Sequence, residues 1–231
     1  GSRMDKTQLK RHDLVYPSAA GRKRLQQQFL HELTGEKAFL AADIFRTDSV
    51  IPGIVRREAV LAPDELPLGF VHPQLCDGHR FRIAAVLKAD EAIQCQRPYE
   101  LSAASFMVST SCMAAAQAAC LYAAEQGIRL GVLGSAGLEI ATGLPFTNSD
   151  SDLDLLVTGL GWQQLQEVYA QLQSIGARFQ VGIDLETELV NGYGIKTAEL
   201  FQQTQTVLGK SLKDVQILKK KTVLELLSQE A

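Results

Sequence analysis

The chain has 231 residues, 46% hydrophobic and 21% charged, with a net charge of −3, enough for a substantial core in two modest domains or one large one. This near-neutral balance argues against general affinity for DNA or RNA, which needs a strongly basic surface, and no signal peptide or apolar stretch of membrane-spanning length is visible. Four cysteines (Cys76, Cys95, Cys112, Cys120) show no CxxC or Cys/His ligand spacing, so they read as reduced and structural, which suits the cytoplasm.

In chain order, Gly1-Ser2-Arg3 ahead of Met4 reads as a cloning remnant and is set aside. Residues 11–98 look irregular, with short strand-like pieces at 53–61, 69–71 and 80–87 and a basic amphipathic helix over Gly21 to Leu33. Leu101 to Gly127 is alanine-rich without internal proline or glycine and predicts one long helix carrying Cys112 and Cys120. Ser102, Ser109, Ser111, Gln117 and Glu125 make it a packed soluble helix rather than a membrane segment. From Ile128 the pattern becomes strand, loop, strand, helix, strand. The helix runs from Trp162 to Ile175, closed by Gly176 as C-cap, and Ser211 to Leu227 reads as a final amphipathic helix. The expected division is a smaller N-terminal domain over 4–98 and a catalytic domain over 99–231.

The chemistry concentrates in the second part. An apolar run (Ile128, Leu130, Val132, Leu133) leads into Gly134-Ser135, read as a strand ending in a tight turn whose backbone N–H groups leave room for a phosphate. Ser151-Asp152-Leu153-Asp154-Leu155 reads as a second strand. Side chains alternate along a strand, so Asp152 and Asp154 share one face with Cα atoms roughly 6–7 Å apart. Two neighbouring carboxylates need positive compensation, and oxygen-only ligands suit Mg²⁺. Asp150 falls on the same alternation, but Asn148-Ser149-Asp150-Ser151 reads as turn. A third carboxylate is expected from the strand-like segment 177–186, where Asp184 is preferred and Glu186 is the reserve. The catalytic and metal-binding candidates are thus Asp152, Asp154 and Asp184.

Cations must complement a phosphate-rich substrate. Arg56-Arg57 lies on an apparent strand, so one of the two side chains is expected to reach the site, whereas Arg80 and Arg82 share a face and can clamp phosphates together. Lys196 follows the third acidic strand. His12 and His79 read as structural or surface residues.

Helix, strand, Gly-Ser, Asp-x-Asp and a third acidic strand resemble the nucleotidyltransferase fold of the polymerase-β superfamily. That resemblance implies an α/β (α+β) class with a mixed sheet carrying the acids. About sixteen residues separate Gly-Ser from Asp152, more than is usual in that superfamily. Gly134-Ser135-Ala136-Gly137-Leu138-Glu139, Thr142-Gly143-Leu144-Pro145-Phe146 and Ser151-Asp152-Leu153-Asp154-Leu155-Leu156 are similar to the malonate decarboxylase holo-acyl-carrier-protein synthase (phosphoribosyl-dephospho-CoA transferase) family. So are Arg11-His12-Asp13-Leu14-Val15, the block from Pro52 to Arg57, and Pro67-Leu68-Gly69-Phe70.

The resemblance implies transfer of phosphoribosyl-dephospho-CoA from its triphosphoribosyl precursor to a serine of the apo acyl carrier protein subunit of malonate decarboxylase, releasing diphosphate. Mg²⁺ would be the cofactor; Gly134, Ser135 and Ser151, with Arg56, Arg57, Arg80, Arg82 and Lys196, would bind substrate. Neither nucleic acid nor membrane is an expected partner. The competing classes are another Mg²⁺-dependent nucleotidyltransferase, acting on a small molecule or protein, and a non-catalytic nucleotide-binding module. The Arg11-His12-Asp13 and 52–57 blocks disfavour the first, and the clustered acids disfavour the second.

Overall fold

The computed structural model describes residues 8–58 and 61–229. Gly1-Ser2-Arg3, and Ala59 and Val60 within the expected strand 53–61, lie outside the described residues. The chain divides into two compact units, Gly1–Arg97 and Pro98–Ala231.

The N-terminal unit is more regular than its sequence suggests. Strands β1 (Leu14–Pro17), β2 (Gly53–Val55), β3 (Glu65–Cys76), β4 (His79–Lys88) and β5 (Ala92–Gln96) form one antiparallel sheet in the order β4-β3-β2-β1-β5. The pieces expected at 69–71 and 80–87 are parts of the long β3–β4 hairpin. Among the described residues the first expected piece is strand over Gly53–Val55 alone. Helices α1 (Ala19–Glu32) and α2 (Gly35–Ile44) bury Leu25, Phe29, Leu40 and Ile44, and Phe29 stacks on Phe45, which meets Phe70 edge to face. Ser18 caps α1 by accepting from the Gly21 N–H at 3.0 Å.

The basic stretch of α1 is not a solvated face. Arg22 is buried and donates to the Ile44 carbonyl at 3.1 Å; burial pulls its pKa down to about 10. Arg24 forks onto Glu91 with two 2.7 Å bonds, and only Lys23 is exposed. Arg22→Glu is therefore expected to cost about 3 kcal/mol or more of stability, since it places an unpartnered carboxylate in the core. Lys23→Glu should stay within about 0.5 kcal/mol. Thermal unfolding of the two variants checks this; equal melting temperatures would refute it.

In the C-terminal unit the expected long helix is broken. A short helix α3 (Pro98–Leu101) is followed by an irregular segment, and α4 starts only at Ser111 and runs to Gln126. Thr110 is its N-cap, its hydroxyl accepting from the Met113 N–H at 3.3 Å. The Ser102 hydroxyl bonds the Tyr99 carbonyl at 2.9 Å and Thr110 takes the cap, local bonds that override the alanine-rich propensity over 102–110. Cys112 and Cys120 do lie on α4, and the four cysteines form no disulfide.

A six-stranded mixed sheet follows in the order β11-β10-β9-β8-β7-β6, built from β6 (Leu130–Val132), β7 (Leu153–Thr158), β8 (Ile183–Glu188), β9 (Gly194–Lys196), β10 (Thr206–Lys210) and β11 (Val215–Lys219). Only β7 and β8 are parallel, joined through α6 (Trp162–Phe179). This helix outruns its expected end. Gly176 lies inside it, closely packed on the Val181 carbonyl, and Gln180 at φ +58° is the C-cap. The expected final helix is instead the β10–β11 hairpin followed by α7 (Lys220–Ser228). Val207 pairs with Leu218 and Leu208 with Ile217 across the tight Ser211–Asp214 turn, where the Ser211 N–H bonds the Asp214 carbonyl. Among the described residues no helix is long and apolar enough to cross a membrane.

Candidate active site

The site grows from the β6 end of this sheet. Strand β6 ends at Val132, and α5 (Gly134–Thr142) begins immediately, so Gly134-Ser135 is the first turn of a helix rather than a free loop. Gly134 takes φ +60°, and the Leu133 N–H bonds the Asp154 carbonyl at 2.9 Å. On β7, Leu153, Leu155 and Val157 are buried on one face while Asp154 emerges half-buried on the other, as the alternation predicts. Asp152 stands exposed just before the strand, and Ser151 lies in the preceding turn. The Ser151 hydroxyl accepts from the Asn148 N–H at 2.9 Å, so it organises the loop that delivers Asp152.

Each aspartate is seated against a glycine. A Cβ at Gly134 would meet Asp154 Oδ2 at 2.5 Å, and one at Gly182 would meet Asp152 Oδ1 at 2.7 Å. The Leu153 N–H donates to the Gly182 carbonyl at 2.8 Å, which ties Asp152 to the entry of β8. The parallel register then sets Asp184 beside Asp154, whereas Glu186 falls beside Leu156 and, across β9, opposite Lys196. Of the two candidates for a third carboxylate, Asp184 is the one paired with the Asp-x-Asp motif. Among the described residues no three His, Cys, Asp or Glu side chains gather into a ready ligand set. Mg²⁺ is held elsewhere by one or two carboxylates with substrate phosphates and water, and the chemistry of Asp152 and Asp154 fits that mode rather than an all-protein cage.

A buried polar cluster underlies the aspartates and was not legible in the sequence. Glu139 on α5 accepts from the Thr147 N–H at 2.9 Å and from the Thr147 hydroxyl at 2.8 Å, and Ser109 donates to its other oxygen. Thr147 also meets Thr110, the α4 cap, at 2.8 Å. One carboxylate thus joins α5, the loop before β7 and the entry to α4. Cys112 completes the cluster: its thiol donates to the Asp152 carbonyl at 3.4 Å and is pushed up to about 12, first by burial and then by the charges of Asp154, Glu139 and Asp152. Beside it, Val108, Ser109, Thr110, Ser111 and Ser149 line an open cavity of about 410 Å³. The only hint of this arrangement in the sequence is an acid at 139 between Leu138 and Ile140 on an otherwise apolar helix.

Glu139→Ala leaves three donors without their acceptor. It is expected to lower stability by about 2–3 kcal/mol and, by loosening the loop before Asp152, to slow transfer at least about tenfold. Glu139→Gln, which keeps an acceptor oxygen, should recover most of both. Thermal unfolding alongside steady-state rates checks this; an alanine variant with wild-type kcat would show that the cluster does not position the site.

The arginines lie in the N-terminal unit. Strand β2 stops at Val55, so Arg56 and Arg57 follow the strand and the expected opposite-face geometry does not hold; both are exposed, and Arg56 pairs with Glu58 at 2.7 Å. Arg56 and Arg82 line one cavity of about 440 Å³ with Phe70. Arg80 and Arg82 do share a face of β4, but Arg80 donates to the His72 and Pro73 carbonyls at 3.2 and 2.9 Å, holding the irregularity in β3. Burial and the neighbouring Arg82 charge lower its pKa.

The family model described as phosphoribosyl-dephospho-CoA transferase MdcG, N-terminal domain, matches residues 10–98, and that for the C-terminal domain of the same enzyme matches residues 100–221. The chain belongs to the MdcG phosphoribosyl-dephospho-CoA transferase family. It is a transferase, and Gly134, Ser135, Asp152, Asp154 and Asp184 all fall within the C-terminal match. No curated protein and no solved structure gives a significant match.

Proposed function

We propose that this transferase moves the phosphoribosyl-dephospho-CoA group from 2′-(5″-triphosphoribosyl)-3′-dephospho-CoA to a serine of the apo acyl carrier protein subunit of malonate decarboxylase. The observation that carries the site assignment is the Asp154–Asp184 pairing beside Gly134, inside the region matched to the family. The serine oxygen attacks the α-phosphorus, a phosphodiester forms, and the bond to diphosphate breaks. Asp184, exposed and next to Asp154, accepts the serine proton. Gly134 and Ser135, at the N-terminus of α5, offer N–H and hydroxyl donors to the departing phosphates. Asp152 and Asp154 would hold Mg²⁺, which would supply charge neutralisation at the triphosphate.

The N-terminal unit is assigned to binding of donor or carrier, with Arg56 and Arg82 at their shared cavity the best-placed phosphate ligands; Arg57 and Lys196 are exposed and secondary. Neither nucleic acid nor membrane enters this reading, and the reaction is assigned to the cytoplasm. Mass spectrometry of the apo carrier tests it: the carrier should gain the prosthetic-group mass only when enzyme, donor and Mg²⁺ are all present. Transfer from an ordinary nucleoside triphosphate instead would overturn the substrate assignment.

A further inference from the structure

The sheet face that carries Asp154 and Asp184 continues past β9. Residues paired across strands share a face, so the Glu186–Lys196 pair and the alternation from the Gly209–Ile195 pair set Lys196, Leu208 and Lys210 on it. The pairs Leu208–Ile217, Lys210–Val215 and Thr206–Lys219 carry it to the edge strand β11. The opposite face is the packed one, with Val207 and Gly209 buried. On the open face Leu208, Val215 and Ile217 are 39%, 40% and 75% exposed and adjacent to one another. Lys196, Lys210 and Lys219 surround them, all exposed. Among the described residues no acid occupies this face of β10 or β11. Residues 205–221 hold five lysines and one aspartate in a chain whose net charge is −3.

Lysines alone are enough to keep an edge strand from pairing with another chain. An apolar centre inside a lysine ring has the composition of a contact surface. We infer that this face docks the protein substrate through acidic residues of that partner set around an apolar contact. The inference rests on the reading that the acceptor serine belongs to a protein. A protein cannot be held by its reacting serine alone, since specific complexes cover about 800 Å² per partner. Strand spacing places β10 about 14 Å from β7, close enough for one small protein to cover the hairpin while its serine reaches Asp154.

The test uses full-length enzyme, apo carrier and donor, with Lys210→Glu/Lys219→Glu and Ile217→Asp as variants. Docking predicts a rise of about tenfold or more in the carrier KM, an apparent affinity less weakened by added salt in the double variant, and donor affinity within about twofold of wild type by calorimetry. Unchanged carrier KM in both variants, with wild-type enzyme active, overturns the docking surface and leaves the transfer reaction standing. A wild-type enzyme that labels no carrier overturns both. Sedimentation adds a separate arm: a wild-type dimer that Ile217→Asp converts to monomer would make this face a self-interface and overturn the inference.

Discussion

Asp154→Asn is expected to lower the rate of group transfer by about 10³-fold while leaving the melting temperature unchanged or raised. The carboxylate is half-buried, sits beside Asp184 in the parallel register and is packed on Gly134. Neutralising it removes repulsion between two acids on adjacent strands, which favours the fold, and removes the charge that a metal-bound triphosphate would need, which disfavours the reaction. Asparagine has the same shape, so the contact with Gly134 survives and a loss of rate reports on charge. Mass-spectrometric transfer rates and thermal unfolding on the same preparation are the measurement. Activity above about a tenth of wild type would remove Asp154 from the catalytic set.

Gly134→Ala is the second large effect, and it reaches the same carboxylate by crowding. The added Cβ would lie 2.5 Å from Asp154 Oδ2, nearer than any such contact is tolerated, so the carboxylate or the start of α5 must move. Its φ of +60° adds roughly 1–2 kcal/mol of backbone strain for any residue with a Cβ. A displacement of about 1 Å at a reacting group is enough for a 10²-fold loss, so about that loss is expected, together with a lower melting temperature. Gly182→Ala separates the two causes: its Cβ would meet Asp152 Oδ1 at 2.7 Å without positive φ. It should therefore slow transfer with less loss of stability. If both variants retain wild-type rates, the seating of the aspartates against glycine has no catalytic role.

These effects explain why some of the site was readable before any coordinates. Asp-x-Asp inside an apolar alternation is a local signal, because a strand's two faces are fixed by a two-residue period. Gly134 after an apolar run is equally local. The same residues, with the blocks in the N-terminal unit, carried the family resemblance that both domain matches bear out. Where local signals conflict, the reading failed. Residues 101–110 have helical composition, yet Ser102 bonds back to the Tyr99 carbonyl and Thr110 caps α4, so the helix starts at Ser111. Residues 206–219 fit a helical period as well as an alternating one, and only pairing with β9 decides for strands.

By itself the sequence determined the mixed α and β character, the strand that carries Asp154 with Asp152 just ahead of it, the glycine that follows strand β6 and the family, because each depends on residues within a few positions of one another. The tertiary structure alone decided what those residues meet. It set Asp184 rather than Glu186 beside Asp154, made Gly182 the seat of Asp152, buried Glu139 as the tie between α5 and the loop before β7, and turned Arg22 of the expected basic helix into a core hydrogen-bond donor. Each of these is a contact between segments far apart in the chain, and strand register and helix packing, which no local periodicity encodes, bring them together.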